Sequence, residues 1–350
     1  MKRLSTRISL FAIIAMALLS SCHDVPEYKD DNAGNFEALW QAVDCHYCFF
    51  SEKEIDWDRI GQKYRQLVTP ETSAIGLFDI CADMLDELRD GHVNLSAPFN
   101  TSYYRQWWTD YPQDFSLRTL QEYYLKFEWN SVGGIIYKKL SNSTGYIYYP
   151  SFSSGISQTG LDYALALMAD CDVLIFDIRD NGGGLLSNIE TLVGRFISRE
   201  TTAGFISHKT GPGHDDFSTP YPVVYSPADS RRVKWLKPVI VLTNRSCFSS
   251  ANDFVATMKG LDGVTIVGAR TGGGGGLPFS SELPNGWSVR FSACPIFDRD
   301  GNSTEAGIDP DQGCEMHASE EELAHGKDAI LDFAIQLAIH TSLSPVNLKR

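Results

Sequence analysis

Two hydrophobic periods divide this chain of 350 residues. Over residues 35–95 apolar positions recur every three or four residues. Phe36, Leu39, Trp40 and Val43 form one such set, Ile60, Tyr64 and Leu67 a second, and Leu77, Phe78, Cys81, Leu85 and Leu88 a third. One face of a 3.6-residue helix repeats in this way. Asn35 and Asp56 suit helix starts, and Pro70 with Thr72 marks a break. The spacing predicts a small helical N-terminal domain that ends at Asp90-Gly91, after which His92-Val93-Asn94-Leu95 opens an extended segment.

From Gly145 onward the pattern changes to short apolar runs alternating with helical ones. Strands are expected over 146–149, 173–178, 239–242 and 264–267. Helices are expected over 155–170, 189–197, 251–259 and 327–340. Alternation of this kind, with strands apolar on both sides, predicts an α/β domain over 143–350 built on a largely parallel sheet. Between the two regions, residues 96–142 are rich in aromatics, including Tyr103, Tyr104, Trp107 and Trp108, and read as a connecting region of short strands and loops.

The start of the chain has a different character. Met1-Lys2-Arg3 is followed by an apolar run over 8–19 and then by Leu19-Ser20-Ser21-Cys22. A charged start before an apolar stretch too short for a comfortable membrane span is the layout of a secretory leader. Its end resembles a bacterial lipobox, which implies lipid attachment at Cys22 and an exported, membrane-anchored protein. Residues 23–34 are polar and read as a tether. The formal net charge is -14. Loss of residues 1–21 removes Lys2, Arg3 and Arg7 and no acid, so the mature chain is more acidic still. That argues against nucleic-acid partners and leaves the lipid as the only expected membrane contact. Apart from Cys22, seven cysteines lack the regular spacing of a disulfide framework, and Cys45-His46-Tyr47-Cys48 reads as core packing or a local disulfide.

The candidate chemistry centres on Asn244-Arg245-Ser246-Cys247-Phe248-Ser249-Ser250-Ala251-Asn252-Asp253-Phe254. A predicted strand precedes it and a predicted helix follows. Its serines therefore either cap the helix or lie beside unpaired N–H groups suited to an oxyanion. Upstream, an apolar strand runs into Asp177-Ile178-Arg179-Asp180-Asn181-Gly182-Gly183-Gly184. Neither this loop nor the Gly272–Gly276 run continues into a phosphate-binding motif. The five glycines form either a flexible turn or a wall passed closely by substrate backbone. The segment from His208 to Asp216 carries metal-capable residues, but Gly and Pro between its histidines make it a hairpin or loop.

These motifs, taken together and in this order, resemble the C-terminal processing (tail-specific) serine peptidases, in the tricorn-like branch. The resemblance implies a crotonase/ClpP-like β-β-α spiral without a PDZ domain, since about fifty residues separate His92 from Gly145. It implies hydrolysis of peptide bonds with no metal and no organic cofactor. Matched to the family pattern, Ser250 is the nucleophile and Asp253 takes the acid position. His92, in Leu88-Arg89-Asp90-Gly91-His92, is the general base. Glu305, in Glu305-Ala306-Gly307-Ile308-Asp309-Pro310-Asp311, orients the imidazole. Ala251 with Gly183 or Gly182 supplies oxyanion N–H groups. The branch's assisting serine before the histidine is replaced here by Gly91. Lys259 is expected to point away from the reactive hydroxyl, which disfavours a Ser–Lys dyad, and the general base is expected to titrate between about 6 and 7.5. A peptide- or glycan-binding protein on the same fold, or an esterase, is the alternative.

Overall fold

The computed structural model describes residues 27–109 and 111–343. The expected leader and Cys22 lie outside the described residues. Three helices come first: α1 (Asn32–His46), α2 (Trp57–Arg65) and α3 (Ala74–Asp86). Each begins on a capping side chain, Asp31, Asp56 or Ser73, that accepts an otherwise unpaired backbone N–H. Helix α1 starts at Asn32, inside the stretch expected as tether, because Asp31 caps it. Asn35, expected as the cap, instead sits in the first turn, and its amide nitrogen donates to the Asp31 carbonyl at 2.9 Å.

The remaining elements follow in order: β1 (Asn94–Ala97), β2 (Asn100–Thr101), β3 (Asn130–Val132), β4 (Ile135–Lys139), β5 (Thr144–Tyr148), α4 (Gln158–Leu167), β6 (Val173–Asp177), α5 (Leu186–Val193), β7 (Thr201–Ile206), β8 (Tyr221–Tyr225), β9 (Val239–Thr243), α6 (Ser250–Lys259), β10 (Val264–Gly268), β11 (Gly276–Glu282), β12 (Ser288–Phe297) and α7 (Ala329–Leu343). Short helical turns occupy parts of 106–124 and 320–324.

The strands form two sheets. In the first, the order is β10-β9-β6-β5-β4-β3; β10, β9, β6 and β5 run parallel and the β5–β4–β3 end is antiparallel. Both faces are covered. Leu174 and Phe176 of β6 and Val241 of β9 point into one core with Phe254 of α6. Val173, Ile175, Ile240 and Leu242 point into the opposite core with Ile330, Leu331 and Ala334 of α7. Side chains alternate across a strand, so burial on both faces demands apolar residues at every position.

The second sheet is antiparallel, in the order β2-β1-β12-β7-β8, with β11 also paired to β12. Leu95, Val289 and Phe291 cover one face and pack with Leu39, Val43, Phe78 and Leu85 of the helices. The helical stretch therefore shares its core with a strand more than two hundred residues downstream in sequence. The fold is mixed α/β with a small helical region ahead of it, as expected. The second sheet gives no clear period in the sequence.

Candidate active site

Strand β9 and helix α6 are joined by a turn in which Ser249 adopts φ 56° and ψ -123°. A non-glycine residue with positive φ costs roughly 1–3 kcal/mol and persists only where its surroundings hold it. Here the Ser249 N–H donates to the Gly273 carbonyl at 2.9 Å, and the Phe248 N–H to the Asn181 carbonyl at 3.1 Å. On the far side of the turn, α6 is anchored by buried Phe254, Val255 and Met258. The Ser249 hydroxyl does not cap the helix. It lies 2.9 Å from His92 Nε2.

Ser250, expected as the nucleophile, sits one residue into the helix and is buried. Its hydroxyl donates to the Gly184 carbonyl at 2.7 Å and does not meet His92. The difference is one of backbone geometry: the strained turn aims residue 249 out of the helix start, while residue 250 already has helical geometry. The oxyanion candidates shift with it. The Ala251 N–H is spent on the Phe248 carbonyl at 3.1 Å, and the Gly183 N–H on Asn181 Oδ1 at 3.0 Å. The N–H groups of Ser250 and Gly182 make no hydrogen bond among the described residues. Gly183 has φ +92°, and a Cβ there would stand 2.9 Å from Ser249 Cβ and 3.0 Å from Ser250 N. Any side chain at 183 would crowd the reactive turn. Asp253 lies in the first turn of α6, and burial pushes its carboxyl up to about 6.

His92 is buried just ahead of β1. Its backbone N–H donates to Asp90 Oδ1 at 2.8 Å, and its ring Nδ1 lies 3.4 Å from the Ser292 hydroxyl on β12. The ring packs on Phe248 with centroids 4.8 Å apart, and Phe248 stacks on Trp107 at 4.2 Å. A Cβ at Gly91 would meet both Trp107 and Phe248. The aromatic packing thus leaves no room for a serine at 91, and the hydroxyl beside Nδ1 comes from Ser292. Burial, with smaller contributions from Arg290 and Lys53, holds the imidazole down at about 4 against the opposing pull of Asp90.

Glu305, expected to orient His92, makes other contacts. Its Oε1 pairs with Lys53 Nζ at 2.7 Å, and its Oε2 accepts the Gly275 N–H at 2.9 Å. Burial and the negative charge of Asp90 push its carboxyl up to about 8. Asp90 moves the other way. Burial raises it, but Lys53, His92 and its hydrogen bonds overcome that and leave it below the usual carboxylate range. The two neighbouring acids are thus pushed in opposite directions, which is how like charges share a buried space. Asp90 Oδ2 is buried, 4.0 Å from Lys53 Nζ, with no hydrogen bond among the described residues.

The glycine run is not a flexible turn. All five glycines are buried, and their backbone bonds both to the Ser249 turn and to Glu305. Lys259 lies at the far end of α6, bonded to the Asp309 carbonyl at 2.8 Å. The segment from 208 to 216 docks on α1 through His214 Nε2 and Asp44 Oδ1 at 2.9 Å. The seven described cysteines are free thiols.

With a serine, a histidine and an unpaired helix-start N–H brought together, the comparisons with known proteins become informative. Residues 143–313 match the model of peptidase family S41, and residues 28–86 match the tricorn protease C1 domain. A solved structure of a candidate peptidase from Parabacteroides merdae ATCC 43184 is 46% identical, covers 89% of this chain and 98% of its own, and superposes with a TM-score of 0.83. This chain belongs to peptidase family S41.

Among curated proteins, the carboxy-terminal processing protease CtpB of Bacillus subtilis (strain 168) is 24% identical over 178 residues, 49% of this chain and 34% of that protein. A protein of uncharacterised role from Chlamydia muridarum is 41% identical over 59 residues, 17% of this chain and 10% of its own length. The chain thus matches only a tenth to a third of the length of these curated relatives. Mature CPAF, at 13% identity and a TM-score of 0.68, shares the fold over 88% of this chain. In this S41 chain, sequence reasoning passed over Ser249, Ser292, Asp90 and Lys53. Asp90 stood inside the quoted histidine motif and Ser249 beside the chosen serine. Ser292 and Lys53 carried no signal, because only the fold brings them to His92.

Proposed function

We propose that this S41 protein is an exported serine endopeptidase in which Ser249 is the nucleophile and His92 the general base. The observation that carries the assignment is the 2.9 Å contact between Ser249 Oγ and His92 Nε2, made from a strained turn at the start of a buried helix. Neutral His92 accepts the Ser249 proton on Nε2 as Oγ attacks the scissile carbonyl, then gives it to the leaving amine. Water enters by the reverse route and releases the acyl group. The Ser250 N–H faces the developing oxyanion, with the Gly182 N–H as the second candidate donor. Nδ1–H donates to the Ser292 hydroxyl, and Asp90 next to it compensates the imidazolium charge. Glu305, paired with Lys53, fixes the glycine run through Gly275 and supports the Ser249 turn at one remove.

Phosphonate labelling followed by peptide mapping tests this. The label is expected on Ser249 and lost in Ser249→Ala. Labelling of Ser250, or of Ser249→Ala as fully as the wild type, would overturn it. Cleavage of internal bonds in a peptide library separates an endopeptidase from an esterase or a binding protein. The lipobox supports anchoring through Cys22; Cys22→Ala is expected to leave the membrane fraction, and full retention there would refute the anchor.

A further inference from the structure

The sheet that carries His92 has one face in the helical core and one face outside it. On the core side stand Val93 and Leu95 ahead of and along β1, and Val289 and Phe291 on β12. Alternation places Asn94 and Ser96 with His92 on the other side, and Ser288, Arg290 and Ser292 beside them. Strand register agrees: Arg290 pairs with Asn94 on β1 and with Ser280 on β11. Ser292 touches the imidazole. Arg290 is the next residue on that face, about 7 Å further along the strand at roughly 3.3 Å per residue.

Arg290 is half-buried and makes no hydrogen bond or ion pair among the described residues. Glu282 faces the same side yet is not paired with it. An antiparallel sheet often keeps one wetted polar face, and a long arginine stem can lie over apolar surface without any ligand. Two features go beyond that. The guanidinium is partly desolvated, enough that burial lowers its affinity for the proton despite the nearby Asp90. It also stands close enough to His92 to depress the imidazole by charge. A half-buried guanidinium with no hydrogen bond among the described residues, two positions along the strand from the Ser292 that touches His92, is suited to an anion that arrives with the substrate.

We propose that Arg290 binds a carboxylate of the peptide substrate, within about two residues of the scissile bond, on the polar face formed by β1, β12 and β11. This rests on Ser249 and His92 being the reacting pair. The carboxylate comes either from an Asp or Glu side chain or from a free C-terminus, and a guanidinium pairs with both through two parallel hydrogen bonds.

The test uses peptides that share one scissile pair. They carry Asp or Asn at each of three positions on either side, and end in a free acid or an amide. Binding of fluorescent versions to the full-length Ser249→Ala protein is read by anisotropy, so it does not depend on turnover. One acid position, or the free C-terminus, is expected to tighten binding about tenfold over its amide counterpart. Arg290→Gln in that background is expected to abolish the difference and Arg290→Lys to keep part of it. The side-chain and C-terminal series say which carboxylate is read. Equal binding of acid and amide peptides throughout, or a preference that survives Arg290→Gln, overturns the proposal. Phosphonate labelling of the wild type reports separately on the reacting pair.

Discussion

The two sheets contribute to one site in opposite ways. The parallel sheet, buried on both faces, ends at the turns that present Ser249 and the Asn181–Gly184 loop. The antiparallel sheet, with one face in the helical core, supplies Ser292 and Arg290 from its other side and leads on from Asp90 and His92. Ser249 follows a strand of one sheet and His92 leads into the other, so their contact depends on how the two sheets dock. Residues of the glycine run and Glu305 stitch that junction.

The sharpest way to test this division is at the two adjacent serines. Ser249→Ala should lower kcat/KM by about four or more orders of magnitude, as nucleophile deletions do. Ser250→Ala should cost less than about tenfold, mainly through the lost bond to the Gly184 carbonyl, worth about 1 kcal/mol of stability. Steady-state kinetics on both variants decide it, and the reverse ranking would return the nucleophile to position 250. On the other sheet, His92→Ala should lose about three or more orders of magnitude.

The pH profile is the next test. Because the His92 imidazole is held at about 4, kcat/KM should stay level below pH 6 and fall only as pH approaches 4. An acid limb between 6 and 7.5, expected from an unperturbed histidine, would show the ring to be wetter than its burial implies. Stability follows the same group. The unfolded imidazole binds a proton near 6.5 and the folded one near 4, so stability drops as pH falls through that window.

Smaller effects separate the supporting groups. Ser292→Ala should reduce kcat about ten- to a hundredfold with little change in KM, since it releases Nδ1. A hydroxyl restored as Ser292→Thr should recover part of the rate. Glu305→Gln should cost less than about fivefold near neutral pH, because Glu305 bonds to Lys53 and Gly275 and does not touch the imidazole. A loss from Glu305→Gln larger than that from Ser292→Ala would put the orienting role back on Glu305. Lys259→Ala should stay within about twofold.

The contrast between the sheets also explains what could be read in advance. Runs such as 173–176 and 239–242 are apolar at each position, so composition alone marks them. Strands β11 and β12 mix serine, proline, glycine and arginine with valine and phenylalanine, and β12 pairs with β1 across nearly two hundred residues. Neither local period nor propensity encodes that pairing. The same holds at the site. His92, the Gly183 loop and the serine pair lie in contiguous motifs. Which serine is presented depends on a single positive φ at 249, and Ser292 reaches His92 through register alone. Glu305 kept its place near the site, yet its contacts are with Lys53 and Gly275.

Arg179 lies four residues before Gly183, wholly buried, with one side of its guanidinium on Asp177 and the other on Asp328 at 2.8 Å. Asp328 sits immediately before α7, downstream of every residue assigned a chemical role. During synthesis a chain grown only as far as Asp311 would already carry the nucleophile, the base and both acids, yet its buried cation would lack half its compensation. Asp177 would still pair with it, so the loss is a part of the about 3–5 kcal/mol that a wholly uncompensated buried charge costs, and it weakens the adjoining glycine loop. Completion of the site would thus follow the order of translation, waiting for Asp328 and α7. Stalled chains ending at 311 should resist phosphonate labelling, and labelling at full efficiency would remove this timing.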